Sequence, residues 1–169
     1  MRATSKTATR AANVIGLGLI GGSIALALTE RGWVVSGDDD NPERGAQAQA
    51  RGLIVGGGLN PAATITFVAT PVPVLADQVK RALAETTGLV TDVGSVKAAV
   101  VAAIDDPRFV GGHPMAGSEL DGLDGADGAM FTGSVWVLTP AATTADTTFS
   151  AVAGVVAELG ADVVAIPAD

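Results

Sequence analysis

The sequence predicts an α/β fold, with a doubly wound, mostly parallel sheet covered by helices. Short runs rich in β-branched residues alternate with longer segments in which apolar residues recur at helical spacing. This alternation is typical of parallel strands joined by crossover helices. Glycine makes up 22 of the 169 residues and is gathered in motifs, which indicates special backbone conformations. The length suits a single domain with a sizeable core.

The first elements follow from the spacing of apolar residues and from capping signals. Residues 13–16 predict a strand, and residues 20–31 predict a helix because apolar side chains recur on one face until Gly32 ends the pattern. A second strand is expected at residues 33–37. A helix begins at Asn41, a capping residue that precedes a proline and an acidic first turn.

The middle of the chain repeats the alternation. Residues 64–70 predict a buried strand that a Pro-Val-Pro segment ends, and a helix follows over about 73–86. Residues 89–92 form the next predicted strand, residues 95–104 the next helix, and residues 109–111 a further strand. The expected apolar face of the helix over 95–104 consists of Val96, Ala99, Val100 and Ala103.

The last part of the chain begins with a segment of different composition. Residues 119–133 are rich in glycine and aspartate and predict a flexible loop. A strand at 135–139, a helix from Phe149 to about residue 159, and a strand at 162–166 complete the predicted order.

A glycine-rich turn lies directly after the first predicted strand and opens the first helix. Gly16 permits the tight turn, Gly18 lets the backbone approach a pyrophosphate, and Gly21 lets helix and strand pack closely. The helix N-terminus then offers free N–H groups to the phosphates. The sequence therefore predicts a Rossmann-type dinucleotide-binding domain. Its candidate phosphate-binding residues are Gly16, Gly18, Leu19, Ile20 and Gly21.

Three consecutive aspartates follow at the end of the second predicted strand, about 20 residues downstream: Asp38, Asp39 and Asp40. A carboxylate at this place bonds the ribose hydroxyls of the adenosine. It also repels a 2′-phosphate, which favours NAD over NADP. The spacing leaves open which of the three holds the ribose, and at least two of them are expected to be solvated turn residues.

Composition argues against several classes of function. The net charge of −8, without a basic stripe, argues against binding to nucleic acid or to an anionic membrane. A single histidine and no cysteine argue against a metal site, and the lack of cysteine suits the reducing cytoplasm. Residues 11–29 are uncharged and follow a basic segment, as in a signal peptide, but glycines interrupt the run. We expect residues 1–10 to be a flexible tail and residues 11–169 to be one domain.

Two more segments end at the same predicted sheet edge. Ser95 is either a plain helix N-cap or a functional residue, and Lys97 is either a solvated charge or a catalyst. His113, the only histidine, follows two glycines in an uncharged turn that leaves room for a ligand. Histidine titrates near neutrality, so it can act as a base toward an organic substrate. Because parallel strands share one carboxyl edge, these segments should converge on the glycine turn.

Together these segments resemble the prephenate/arogenate dehydrogenase family, enzymes of tyrosine biosynthesis. The resemblance covers nearly the whole chain, and its serine–lysine segment and histidine–proline turn are far more specific than the dinucleotide motif. The matching segments are 16–26 (GLGLIGGSIAL), 37–42, 69–72, 92–97, 112–119 (GHPMAGSE) and 131–140.

The resemblance implies NAD-dependent oxidative decarboxylation of prephenate or arogenate. Hydride leaves the ring carbon that bears the hydroxyl, the ring carboxylate departs as carbon dioxide, and the ring becomes aromatic. In this family the histidine matching His113 accepts a hydrogen bond or proton from the substrate hydroxyl, and the serine matching Ser95 orients that hydroxyl. The carboxylate matching Asp39 holds the ribose. Thr70, Pro71 and again Ser95 are further candidates for cofactor binding.

The family also carries an all-helical domain after the sheet, which forms the dimer and supplies an arginine that grips the substrate carboxylate. This chain ends about where that domain would begin. We therefore expect low activity from it alone, and uncovered apolar surface favours a homodimer. Two alternatives stay open: a non-catalytic dinucleotide-binding module, and another NAD(P) dehydrogenase acting on β-hydroxyacids or imines.

Overall fold

The computed structural model describes residues 8–168, which form seven strands, five α-helices and one short 3₁₀ turn. The strands are β1 (Ala11–Ile15), β2 (Val34–Asp38), β3 (Ile65–Val68), β4 (Leu89–Asp92), β5 (Phe109–Pro114), β6 (Val135–Thr139) and β7 (Asp162–Ala165). The helices are α1 (Leu19–Glu30), α2 (Pro42–Ala50), α3 (Val72–Glu85), α4 (Lys97–Ala103) and α5 (Asp146–Glu158), and the 3₁₀ turn spans Leu123–Gly125.

All seven strands belong to one sheet, in the order β2-β1-β3-β4-β5-β6-β7. The first five are mutually parallel, β6 runs antiparallel to β5, and β7 is parallel to β6. The chain passes from β1 to β2 on one side and then crosses to β3 on the other side. The carboxyl ends of β1 and β3 therefore flank the switch point where such sheets bind ligands. The predicted doubly wound, mostly parallel α/β fold is confirmed.

Apolar side chains form a core on each face of the sheet. Leu28 of α1 and Val156 of α5 are fully buried in one cluster. Leu75 of α3 and Val100 of α4 are buried in the other. Helices therefore cover both faces, as a doubly wound sheet requires. Within residues 8–168, no helix combines the length and the apolar character needed to cross a bilayer.

The predicted start of the fourth helix is wrong. Val96 keeps an extended backbone (φ −103°, ψ 101°), so α4 begins at Lys97 and Ser95 is not its cap. The apolar face is rotated as a result: Val100 and Val101 are buried, whereas Val96 is 47% exposed. Before the helix, Asp92 Oδ2 accepts from the Gly94 N–H at 2.9 Å in a local turn that helical periodicity does not report.

The loop over 119–133 is anchored, contrary to the expectation of flexibility. Leu123 is only 4% exposed and packs against α1, where a side chain at Gly22 would overlap it. Arg51, directly after α2, donates to the Leu123 carbonyl at 2.9 Å, and Ser23 of α1 accepts from the Asp127 N–H at 3.0 Å. The loop therefore forms a fixed wall beside the first helix.

The ends of two predicted segments also differ from the structure. β5 continues to Pro114, so His113 lies within a strand, opposite Val137 of β6, and not in a turn after it. The predicted tail over 1–10 falls mostly on residues 1–7, which lie outside the described residues. Arg10 is held by a bidentate contact with Glu158 of α5 at 2.7 Å and by the face of Trp33.

Candidate nucleotide-binding and catalytic site

A cavity of about 870 Å³ opens at the carboxyl edge of the sheet, at the switch point between β1 and β3. The turn after β1, the segment after β2 and the segment after β3 supply most of its walls. Every predicted cofactor-binding residue except Ser95 lines it. These residues are Gly16, Gly18, Leu19, Ile20, Gly21, Asp39, Thr70 and Pro71.

The glycine turn is shaped by close backbone packing. Gly16 has φ +88°, and a Cβ there would lie 2.3 Å from the Ala69 carbonyl oxygen. A Cβ on Gly21 would lie 1.7 Å from the Gly16 carbonyl oxygen. Gly18 is different, because a Cβ there meets nothing within 4 Å and the residue faces the cavity. Gly16 and Gly21 therefore let the turn close, and Gly18 leaves room for a ligand to approach.

Asp39 is fastened to this turn. Its Oδ2 accepts from the Leu17 N–H at 2.7 Å, and its Oδ1 accepts from the Asn41 N–H at 2.8 Å. Arg44 of α2 donates to both oxygens. Burial raises the pKa of the Asp39 carboxyl, but these backbone and guanidinium donors outweigh that effect and hold its pKa below the ordinary value. Asp39 is therefore an ionised group built into the cavity wall.

The other two aspartates differ from Asp39. Asp38 accepts from Arg81 of α3 at 2.6 Å, and both line the cavity. Asp40 is exposed and also lines the cavity. Sequence patterns do not identify Arg44 or Arg81 as part of this site. Each arginine lies on a helix and reaches the site through an ion pair with an aspartate at or directly after the end of β2, and no sequence pattern reports such a pair.

The residues of the cavity fit a dinucleotide. The Thr70 hydroxyl is buried without a hydrogen-bond partner among residues 8–168, so a polar ligand group in the cavity can satisfy it. No side chain caps α1, and its first turn carries no acidic residue. Its N–H groups are therefore available to a phosphate, next to the open space at Gly18.

The two predicted catalytic residues lie beside this cavity and not in its wall. Ser95 is exposed and makes no hydrogen bond within residues 8–168, whereas its neighbour Gly94 lines the cavity. His113 is half-buried on β5, and its Nδ1 is buried without a partner in that same part of the chain. Asp92 connects the Ser95 segment with the His113 strand, because its carboxylate accepts from the N–H groups of Gly94 and Gly112.

Comparison with known proteins gives a family for this arrangement. Residues 24–165 match the prephenate dehydrogenase nucleotide-binding domain. The chain belongs to the prephenate dehydrogenase family. The match begins inside α1, so the glycine turn at residues 16–21 is an observation separate from it.

Relatives of this family agree in sequence and in fold. The chain is 39% identical to the prephenate dehydrogenase of Bacillus subtilis over 141 residues, which are 74% of this chain and 38% of the relative. It superposes on Synechocystis arogenate dehydrogenase with a TM-score of 0.85 and 30% identity, covering 93% of this chain and 59% of that one. The A. aeolicus prephenate dehydrogenase in complex with hydroxyphenyl propionate and NAD⁺ gives a TM-score of 0.88 and 27% identity, covering 96% and 62%.

The chain spans about two fifths of the length of the Bacillus and Lactococcus prephenate dehydrogenases. It thus provides the nucleotide-binding part of the family's architecture. Sequence reasoning also missed the buried contact between Asp92 and Lys97. An acidic residue that ends an apolar strand, with a lysine five residues later, is the signal that could have indicated it.

Proposed function

We propose that this chain is the NAD-binding part of an enzyme that oxidatively decarboxylates prephenate or arogenate in tyrosine biosynthesis. The observation that carries the proposal is the cavity at the β1/β3 switch point. Gly94, after β4, lines this cavity, and His113, the single histidine of the chain, lies on the neighbouring strand β5. Membership of the prephenate dehydrogenase family supports the same reaction.

The cavity residues have distinct roles toward NAD. The open space at Gly18 and the uncapped start of α1 would hold the pyrophosphate. Asp39 would hold the adenosine ribose, and its negative charge disfavours the 2′-phosphate of NADP. The unpartnered Thr70 hydroxyl would bond a polar group of the dinucleotide. When bound, NAD supplies the acceptor for the hydride.

His113 supplies the base in this proposal. His113 is half-buried, its buried Nδ1 has no partner within residues 8–168, and the partly exposed ring is what a ligand can reach. It accepts the proton of the substrate hydroxyl, which drives electrons toward loss of hydride from the same carbon. The bond to the ring carboxylate breaks, carbon dioxide leaves, and aromatisation drives the step. Ser95 orients the hydroxyl.

The test is NAD reduction by this chain with prephenate and with arogenate as separate substrates. We expect turnover with one of them, and we expect His113→Asn to lower kcat by about 10²-fold or more, as for loss of a general base. A rate of zero with both substrates, in a form that also carries the family's helical domain as well as in this chain, would contradict the catalytic proposal and leave a non-catalytic nucleotide-binding module. Turnover only with β-hydroxyacids would favour a different dehydrogenase. A cytoplasmic location and a homodimer stay predictions.

A further inference from the structure

A buried ion pair lies next to the candidate base, and the proposed chemistry does not use it. Asp92 at the end of β4 has no exposed surface, and the side chain of Lys97, the first residue of α4, is 11% exposed. Charged side chains are rarely buried this deeply unless they are paired. Burial lowers the pKa of the Lys97 ammonium, although the Asp92 carboxylate opposes this effect.

The pair holds both backbone polar groups of the residue before His113. Asp92 Oδ1 accepts from the Gly112 N–H at 3.2 Å, and Lys97 Nζ donates to the Gly112 carbonyl oxygen at 2.7 Å. Asp92 Oδ2 accepts from Lys97 Nζ and from the Gly94 N–H at 2.9 Å. One carboxylate and one ammonium thus tie the end of β4, the start of α4 and β5 together.

These side-chain contacts join β4 and β5 beyond the point where their backbone pairing ends. The parallel pairing of β4 with β5 comprises Val90 with Phe109 and Thr91 with Val110, and it goes no further. Beyond Val110, the side chains of the ion pair join β5 to the β4 side of the sheet.

The two glycines before His113 make this attachment sterically feasible. A Cβ on Gly112 would lie 2.5 Å from the Asp92 carbonyl oxygen. A Cβ on Gly111 would lie 3.0 Å from the Val101 side chain and 3.4 Å from Lys97 Cδ. The Gly-Gly sequence therefore lets β5 lie against the pair, in addition to leaving space around the histidine.

We propose that Lys97, acting with Asp92, is a positioning residue that fixes Gly112 and so sets the place of His113 relative to the Gly94 wall of the cavity. Lys97 does not touch substrate in this account. The catalytic consequence rests on the proposed function of His113, but the positioning itself does not.

The test uses amide hydrogen exchange at Gly112 and the imidazole NMR signal of His113, which is unique because the chain has one histidine. The double variant Asp92→Asn with Lys97→Met removes both charges without leaving one buried and unpaired. We expect exchange at Gly112 to accelerate at least about 10-fold, since local opening sets this rate. Exchange at Val110, inside the regular ladder, should stay unchanged. The His113 signal should shift or broaden.

Two single variants complete the design. Lys97→Met leaves the Asp92 charge unpaired and should loosen Gly112 further or prevent folding, while Lys97→Arg should restore most of the protection. Lys80→Met, at an exposed position of α3, is the matched control and should move neither readout. Where turnover is measurable, the double variant should lower kcat with little change in the Kd for NAD.

Unchanged Gly112 exchange together with an unchanged His113 signal in the double variant would overturn the proposal. Equal acceleration at Gly112 and Val110 would also overturn it, because the pair would then support the fold as a whole. Neither result depends on turnover, so a failure of the proposed reaction is distinguishable from a failure of this inference.

Discussion

The two ends of the crevice differ in how their polar groups are satisfied. At the adenosine end, Asp39 bonds two backbone N–H groups and Arg44, and Asp38 bonds Arg81. Toward the other end, the Thr70 hydroxyl in the cavity wall and His113 Nδ1 on β5 are buried without hydrogen-bond partners in the described part of the chain. One end is complete as folded, whereas the other contains donors and acceptors that nothing in residues 8–168 satisfies.

This difference suggests a division of roles, in which the Asp39 end recognises the cofactor and the His113 end takes part in the reaction. A buried polar atom without a partner costs about 1–3 kcal/mol, which a ligand that bonds it can recover. The charged groups around Asp39 are already bonded, so we expect this proposed adenosine end to select ligands by a preformed shape and charge. At the histidine end, we expect a bound ligand to satisfy the unpartnered groups. Changes at Gly21, at Asp39 and in pH test this division.

The largest effect is expected at Gly21. A Cβ there would lie 1.7 Å from the Gly16 carbonyl oxygen, so Gly21→Ala must open the turn proposed to hold the phosphates. We expect NAD binding measured by calorimetry to weaken at least about 100-fold, roughly 2.7 kcal/mol of binding energy. Gly154→Ala in α5, where a Cβ meets nothing within 4 Å, is the control. Equal NAD affinity in the Gly21→Ala protein would show that the turn is not the phosphate site.

A smaller effect is expected at Asp39. Asp39→Ala removes the carboxylate from the ribose end and frees Arg44, which can then face a 2′-phosphate. We expect the affinity ratio of NAD to NADP to fall about 10-fold, or about 1.4 kcal/mol. Asp40→Ala is the matched comparison, since Asp40 is exposed and adjacent. A larger change in the Asp40 variant would assign the ribose to the neighbouring carboxylate.

The smallest effect is a pH dependence. The pKa of Asp39 in the folded chain lies below its ordinary value of 3.8, so the folded state binds fewer protons than the unfolded state between the two values. The stability that ionised Asp39 contributes is therefore present above about pH 5 and is lost as pH falls through the folded pKa. The Tm difference between the parent and Asp39→Asn should be constant above about pH 5 and shrink below pH 4. A difference that grows on acidification would contradict the ionised, hydrogen-bonded state of Asp39.

The adenosine end could be predicted from sequence because its signals are local. Three glycines at fixed spacing define the turn, and Asn41 caps α2 by accepting from the Glu43 N–H at 3.0 Å, as its sequence context indicates. The order of strands and helices follows from periodicity in the same way, and it is confirmed.

The histidine end could be predicted only in part because its contacts are long-range. Asp92 and Gly112 are 20 residues apart, and Arg51 and Leu123 are 72 apart, so no local pattern reports either contact. The start of α4 lies two residues past Ser95, and contacts with Ser23 and Arg51 anchor the loop over 119–133. The proposed roles of Ser95 and His113 stay predictions.

The most direct test of the division between the two ends is calorimetric titration with NAD of the parent chain, Gly21→Ala and His113→Asn under one set of conditions. The account predicts that His113→Asn binds NAD within about twofold of the parent, a difference of about 0.4 kcal/mol, while Gly21→Ala loses binding. A loss of NAD affinity in His113→Asn as large as that in Gly21→Ala would contradict it, because the two ends would then form a single binding unit.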